Sequence, residues 1–443
     1  MAGTAAYNTL ASSFITQNPR SKAIHEAATT PLPGGNTRTV LFYHPFPLSI
    51  SKAVGSKLHD TDGHVYTDLL GEYTAGLYGH SDPTILSAIT NAVHRGLNYG
   101  GHNKNEAKLA TLIKARFPSI DLIRYTNSGT EATLMSLALA RAYTSKTKTL
   151  VFSGGYHGGA FAFGGGVSSP VNAPFPFLIA EYNDLASAQS LALAPENKSS
   201  LAAILVEPML GSGGAIPGDV AFLTGLRDLA NQTGAVLIYD EVMTSRMHSG
   251  GGIQSQLPLH LRPDLTTLGK YIGGGMSFGA FGGIQHIMEL FDPRRKGALA
   301  HAGTFNNNVL TMAAGCAGLE KVFTPSRAEE LHERGERLRR ELREVGRGTL
   351  LQVTGKGSLM NIHFSAREGE GIRKPADVGE EYRGLGDVLH LFLLSKGYYI
   401  ARRGFIALSL ALEDEELKGF VGAVREFITV YPDLLRLPAV SKL

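Results

Sequence analysis

The chain of 443 residues contains one cysteine, Cys316. That excludes an intrachain disulfide and a cysteine-built zinc site, and it fits a reducing compartment. Charge is also sparse, at 18% of residues against the usual ~25%. The formal net charge is +3, and basic clusters are short. Arg294-Arg295-Lys296 is one; Arg337-Leu338-Arg339-Arg340 is another and reads as a solvated helix face. Neither nucleic acid nor a membrane surface is implied as a partner. The first thirty residues have no unbroken apolar run, being interrupted by Asn8, Gln17 and Asn18. No secretory signal or spanning helix is expected, and a cytoplasmic location is. The histidines lack metal-ligand spacing, so no metal is expected. Gly211-Ser212-Gly213-Gly214 does not complete a dinucleotide fingerprint, and Gly355-Lys356-Gly357 lacks the spacing and the hydroxyl residue of a P-loop.

What is present is a large apolar complement, 43% of the chain, enough for a sizeable core and two or three structural units. Between about residues 80 and 320, Ala-rich helical patterns alternate with short apolar strands, which predicts an α/β unit with a mostly parallel sheet covered on both faces. The clearest strands are 150–152, 202–206 and 235–239; the clearest helices follow Gly129 and Phe222. Each strand ends in a loop rich in chemistry, and in an open parallel sheet such loops converge at the carboxyl edge. Earlier, residues 55–68 read as two strands joined at Asp62-Gly63. Later, an amphipathic helix over 327–345 leads into alternating segments at 351–354 and 359–364, suggesting a smaller α+β domain. The expected division is 1–79 as an N-terminal segment contributing to the small domain, 80–320 as the large domain and 321–443 as the C-terminal small domain. The charged, Gly-rich stretch 365–377 reads as an exposed loop.

Three motifs carry chemistry. An apolar run from Ala235 closes on Asp240-Glu241, and thirty residues later come Thr267-Leu268-Gly269-Lys270 and Gly273-Gly274-Gly275. Alone, such an Asp is a helix cap and such a Lys is solvated. Together they suit pyridoxal phosphate, which needs an amine to hold its aldehyde and an acid to keep its pyridine nitrogen protonated. Thr126-Asn127-Ser128-Gly129-Thr130-Glu131-Ala132 opens a helix and offers amides and hydroxyls to a phosphate, or else merely caps it. Gly154 to Gly159 is a flexible loop carrying Tyr156 and His157; the tyrosine could stack on a flat cofactor, or both could simply pack and hydrogen-bond within the loop.

The ordered set Ser128-Gly129-Thr130-Glu131-Ala132, Tyr156-His157-Gly158, Glu207-Pro208, Asp240-Glu241-Val242, Thr267-Leu268-Gly269-Lys270 and Ala302-Gly303-Thr304-Phe305 resembles the class III, fold-type I pyridoxal-phosphate aminotransferases, over about Pro33 to Leu410. Within them it is similar to the branch holding glutamate-1-semialdehyde 2,1-aminomutase and the aromatic β-amino acid transaminases. The resemblance implies that Lys270 holds the cofactor and moves the substrate proton, and that Asp240 binds the pyridine nitrogen. It places Val242 under the ring and Tyr156 over it, with Ser128, Gly129 and Thr130 on the phosphate. Thr304 would reach that phosphate from the neighbouring subunit of a homodimer whose active site lies at the subunit interface. Glu207 would lie near the substrate or hold structure there.

Arg38, in Pro33-Gly34-Gly35-Asn36-Thr37-Arg38, is similar to the arginine that binds the substrate carboxylate in the β-amino acid branch; an ordinary ion pair is the other reading. Near the end, Ala401-Arg402-Arg403-Gly404 departs from the Ala-Pro-Ser segment of the aminomutases, and Ile406-Ala407-Leu408 departs from the Ile-Arg-Phe-like strand of many ω-aminotransferases. Arg403 is then the candidate for a second carboxylate contact, with Arg402 directed elsewhere. Phe42, Tyr43, Phe46 and Tyr78 are candidate pocket walls or core residues. The expected activity is ping-pong transfer of an amino group from a β-amino acid donor, aromatic ones included, to a 2-oxo acid acceptor. An aminomutase, an amine transaminase and a catalytically silent regulatory relative are the alternatives.

Overall fold

The computed structural model describes residues 2–367, 371–379 and 381–438. Its centre is a seven-stranded sheet in the order Leu122–Thr126, Gly279–Gly283, Leu265–Gly269, Val236–Asp240, Leu201–Val206, Lys148–Phe152 and Phe177–Ala180. Six strands run parallel; Gly279–Gly283 is antiparallel to both neighbours. Alternation along the strands divides the core in two. Val236 and Ile238 join Leu137 and Leu139 of helix Gly129–Thr144 on one face. Leu237 and Tyr239 join Leu226 and Leu229 of helix Val220–Thr233 on the other. Burial on both faces explains why Leu201–Val206 is uniformly apolar instead of alternating. Each large apolar side chain so buried contributes roughly 1.5–3 kcal/mol.

Gly279–Gly283 has poor strand propensity, so its place in the sheet has another cause. A Cβ at Gly279 would lie 2.1 Å from the Ser128 carbonyl, and one at Gly283 would lie 2.0 Å from that of Asp264. Close backbone approach demands glycine here. It also brings the start of helix Gly129–Thr144 down onto the sheet edge.

The hairpin anticipated at Asp62-Gly63 is present, with Lys57–Asp60 antiparallel to Val65–Asp68. Ile50–Val54 flanks it on one side. On the other, Val65–Asp68 pairs in parallel with Tyr398–Tyr399 from the far end of the chain. A third sheet, Leu351–Lys356, Leu359–Phe364 and Phe405–Ala407, is antiparallel. The turn bearing Arg402 and Arg403 links Tyr398–Tyr399 to Phe405–Ala407. Gly404 closes it at φ 87°, where a Cβ would meet the Ile362 carbonyl at 2.1 Å.

The stretch 365–377 is exposed at Arg367, Gly371, Arg373 and Ala376, as expected, but is anchored inward elsewhere; 368–370 lie outside the described residues. Ser365, Ile372 and Asp377 are buried. The Asp377 carboxylate accepts the backbone amides of Arg373 and Lys374 at 3.0 and 2.9 Å. Composition signalled a turn correctly, but a carboxylate capping its own loop and one isoleucine suffice to pin it inward. No helix among the described residues is long and apolar enough to cross a membrane.

Candidate active site

The carboxyl ends of neighbouring strands Val236–Asp240 and Leu265–Gly269 place Asp240 opposite Thr267, three residues before Lys270. Lys270 leaves the strand in the left-handed region, φ 55°, a conformation that costs a non-glycine residue roughly 1–2 kcal/mol. Such outliers gather at functional sites. Burial pushes its amine down to about 8, against the carboxylates of Glu72 and Asp240, which act to raise it.

Asp240 is buried and fully engaged. Its Oδ2 lies 2.8 Å from His157 Nδ1 and its Oδ1 accepts the Val242 amide at 3.0 Å. The histidine is itself buried, so the loop after Lys148–Phe152 is anchored from beneath while Tyr156 stays exposed. Val242 links the remaining pieces. A Cβ at Gly129 would lie 2.9 Å from its Cγ2, and one at Gly269 would lie 3.3 Å from its Cγ1. The helix start, the second residue after Asp240 and the residue before Lys270 therefore pack together around one branched side chain, that of Val242. Ser128 caps that helix, its Oγ accepting the Glu131 amide at 3.2 Å, while Gly129 and Thr130 lie in its first turn, where amides have no intrahelical acceptor. Thr130 Oγ1 accepts the Gly159 amide at 3.3 Å, closing the ring of loops.

Beside this cluster lies a cavity of about 610 Å³ whose walls include Phe42, Tyr73, Tyr156, Ser212, His363 and Arg403. Arg403 donates from Nη1 to Ser212 Oγ at 3.3 Å, and its guanidinium lies 5.1 Å from the Tyr73 ring centroid. Arg402 is tied to Asp387. Arg38 donates from Nη2 to Glu72 Oε1 at 2.5 Å. The charges of Arg38 and Arg403 add to the lowering of the Lys270 amine. Glu207 is buried and spans two loops, accepting the Tyr156 amide at 2.9 Å and the Gly211 amide at 2.8 Å. Burial pushes its carboxyl up to about 7.

Lys270, Asp240, Val242, Ser128, Gly129, Thr130, Tyr156, Glu207 and Arg403 thus converge, with Arg38 at the margin. Residues 302–305, Thr304 among them, are exposed in the single chain. Of the four aromatics singled out earlier, Phe42 faces the cavity, whereas Tyr43, Phe46 and Tyr78 are core residues. Sequence reasoning left His157 undecided, although its place beside Tyr156 was a usable signal. It missed Glu72 and Tyr73, which carry no motif.

A lysine disposed to lose its proton faces a buried carboxylate across a helix N-terminus, and the family model for class-III aminotransferases matches residues 42–394. The chain belongs to that family. Like other class-III aminotransferases, it is a pyridoxal-phosphate enzyme, and the residues present fit the coenzyme. The helix start suits the phosphate, Val242 and Tyr156 offer surfaces for a flat ring, and Asp240 suits its nitrogen. The β-phenylalanine transaminase of Variovorax paradoxus is 50% identical over 424 residues, 95% of each chain. The crystal structure of a β-phenylalanine aminotransferase from Variovorax paradoxus superposes with a TM-score of 0.94 at 48% identity, covering 99% of this chain and 100% of that one. A glutamate-1-semialdehyde 2,1-aminomutase from Nitratidesulfovibrio vulgaris is 36% identical over 427 residues, 92% of this chain and 99% of its own.

One consequence is measurable on the apoenzyme. With Lys270 as the candidate amine for the coenzyme aldehyde, only its unprotonated form would react, and its folded-state value is lowered to about 8. The rate of pyridoxal phosphate capture should therefore rise with pH through about 8 and level off above it. A midpoint near the ordinary lysine value of ~10.4 would show that burial does not tune this amine.

Proposed function

We propose that the enzyme transfers the amino group of a β-amino acid, aromatic ones included, to a 2-oxo acid such as 2-oxoglutarate or pyruvate. The carrying observation is a pair of guanidiniums brought to adjacent residues, Arg38 from the N-terminal segment on Glu72 and Arg403 from the turn before Phe405–Ala407 on Tyr73, with Arg403 in the wall of a cavity that also has aromatic walls. Two cations on different elements fit carboxylates at different distances from the reacting carbon, as a β-amino donor and an α-oxo acceptor require. The likeness to a β-phenylalanine transaminase supports the same reading.

In this reading Ser128, Gly129 and Thr130 hold the coenzyme phosphate, Val242 and Tyr156 sandwich its ring, and Asp240 binds its nitrogen. The bound coenzyme supplies an aldehyde and an electron-withdrawing ring. Lys270 Nζ takes the proton from the amine-bearing carbon of the donor and holds it for return. His157 orients the Asp240 carboxylate. Glu207 is a positioning residue whose two amide contacts hold the Tyr156 loop against the Gly211 loop. Donor and acceptor use the site in turn, in a ping-pong order.

Thr304, exposed in the single chain, suits a contact to the phosphate in a second copy. The exposed Leu97, Tyr99 and Phe305 fit an interface of a homodimer.

The test is product formation from β-phenylalanine with and without 2-oxoglutarate. Turnover that requires the acceptor supports transamination, and acceptor-independent isomerisation of a semialdehyde would overturn it. Arg38→Ala should raise the KM for the β-amino acid about ten- to a hundredfold, the scale of a lost charge-assisted contact of ~1.5–3 kcal/mol. It should spare a carboxylate-free amine; equal loss on both would remove Arg38 from substrate recognition.

A further inference from the structure

The segment after Val65–Asp68 adopts a backbone that few sequences tolerate. Gly71, Glu72, Tyr73 and Thr74 have φ of 52°, 45°, 51° and 84°, so three consecutive non-glycine residues stand in the left-handed region. The surroundings over-determine this conformation. Asp68 Oδ1 accepts the amides of Leu70 and Gly71 at 2.8 and 3.0 Å. A Cβ at Gly71 would come within 2.7 Å of the Ala407 carbonyl, Tyr73 stacks on Phe405 at 6.1 Å, and Thr74 is fully buried. A backbone held this way against its own preference points to a use for the side chains it projects.

Those side chains meet the two arginines of the site. Tyr73 lies under Arg403, and Glu72 is paired with Arg38. The Glu72 carboxylate thus engages one arm of the guanidinium that a substrate carboxylate would need. The two side chains remain 47% and 49% exposed, so the pair is hydrated and exchangeable instead of locked in a core. Arg403 lies on the neighbouring Tyr73, the Lys270 amine feels the charges of both Glu72 and Arg38, and His25, Asp68 and His80 line a pocket together with Glu72.

We propose that Glu72 is an internal carboxylate that holds the Arg38 guanidinium in the absence of substrate and yields it to the carboxylate of the incoming amino acid. Glu72 therefore sets the affinity for carboxylate-bearing donors by competing with them. This rests on the assignment of Arg38 in the proposed function. The device keeps a cation near the cavity oriented while unloaded, and it weakens binding of any ligand that cannot displace a carboxylate from that cation.

The experiment uses the holoenzyme and two probes of one shape, 3-phenylpropionate and its uncharged amide, titrated by calorimetry. In Glu72→Gln the Kd for the acid should fall about three- to fivefold, the range for removing an exposed competing ion pair, while that for the amide stays constant. The KM for β-phenylalanine should fall by a similar factor, and that for a carboxylate-free amine should not. Glu72→Asn, a residue type at ease in the left-handed region, must move both affinities in the same directions. Unchanged or weaker binding of the acid in either variant, with Arg38→Ala still weakening it, overturns the competition and leaves Arg38 as the carboxylate site. If Arg38→Ala leaves the acid's Kd unchanged, the Arg38 assignment itself has failed.

Discussion

Lys270→Ala should leave no coenzyme covalently attached after borohydride reduction and should lower turnover by at least about 10³-fold. In the proposed function two roles vanish together, the amine that holds the aldehyde and the base that moves the substrate proton, so the loss exceeds that of a contact residue. The substitution is otherwise mild. Alanine at φ 55° bears the same left-handed backbone as lysine, and the neighbouring Gly269 and Val242 packing is untouched. Thermal stability should stay close to that of the parent, and noncovalent coenzyme should still bind through the helix start. Intact mass after reduction is the decisive measurement; finding coenzyme on another side chain would remove Lys270 from its assigned place.

Asp240→Asn keeps the shape and deletes the charge. It should reduce kcat/KM by about 10²–10³-fold, the scale for removing one preorganised electrostatic group from an active site. The amide can still accept the Val242 N–H, but its second arm no longer offers a carboxylate to His157 or to the coenzyme nitrogen. A second readout separates this from simple disruption. The Asp240 charge is one of the causes that raise Glu207, whose carboxyl stands at about 7. With that charge gone, Glu207 should ionise at lower pH. Its raised value favours protons in the folded state, so the native protein loses stability as pH rises from the ordinary carboxylate range through about 7. In Asp240→Asn that window should narrow from its upper end, as followed by Tm against pH. An unchanged profile would mean that Asp240 carries no charge felt at Glu207.

Much of this arrangement was legible in the chain because strand and helix signals are local. The apolar run ending at Asp240, the cap at Ser128 and the Asp62-Gly63 hairpin are each set by a few adjacent residues, and each lies where its pattern indicated. Gly279–Gly283 was not legible. Its glycines weaken any strand signal, and the reason for them is the nearness of Ser128 and Asp264, which are distant in sequence. The same holds for 365–377, where a buried Asp377 caps a loop that composition alone marks as exposed.

Site residues divide along the same line. Lys270, Asp240 and the Ser128-Gly129-Thr130 cap announce themselves by motif, since each needs particular neighbours to do its chemistry. Glu72, Tyr73 and Ser212 have no such neighbours. They matter because Tyr398–Tyr399 pairs with Val65–Asp68 and swings the Arg402-Arg403 turn toward residues 72 and 73. By itself the sequence determined the class of chemistry, the coenzyme and the two-faced α/β core, all of which depend on short-range order of side chains. Only the tertiary structure decided which carboxylate and which ring hold the two arginines. Those partners are joined by strand pairing and loop closure across nearly the whole chain, and no local spacing encodes such distances.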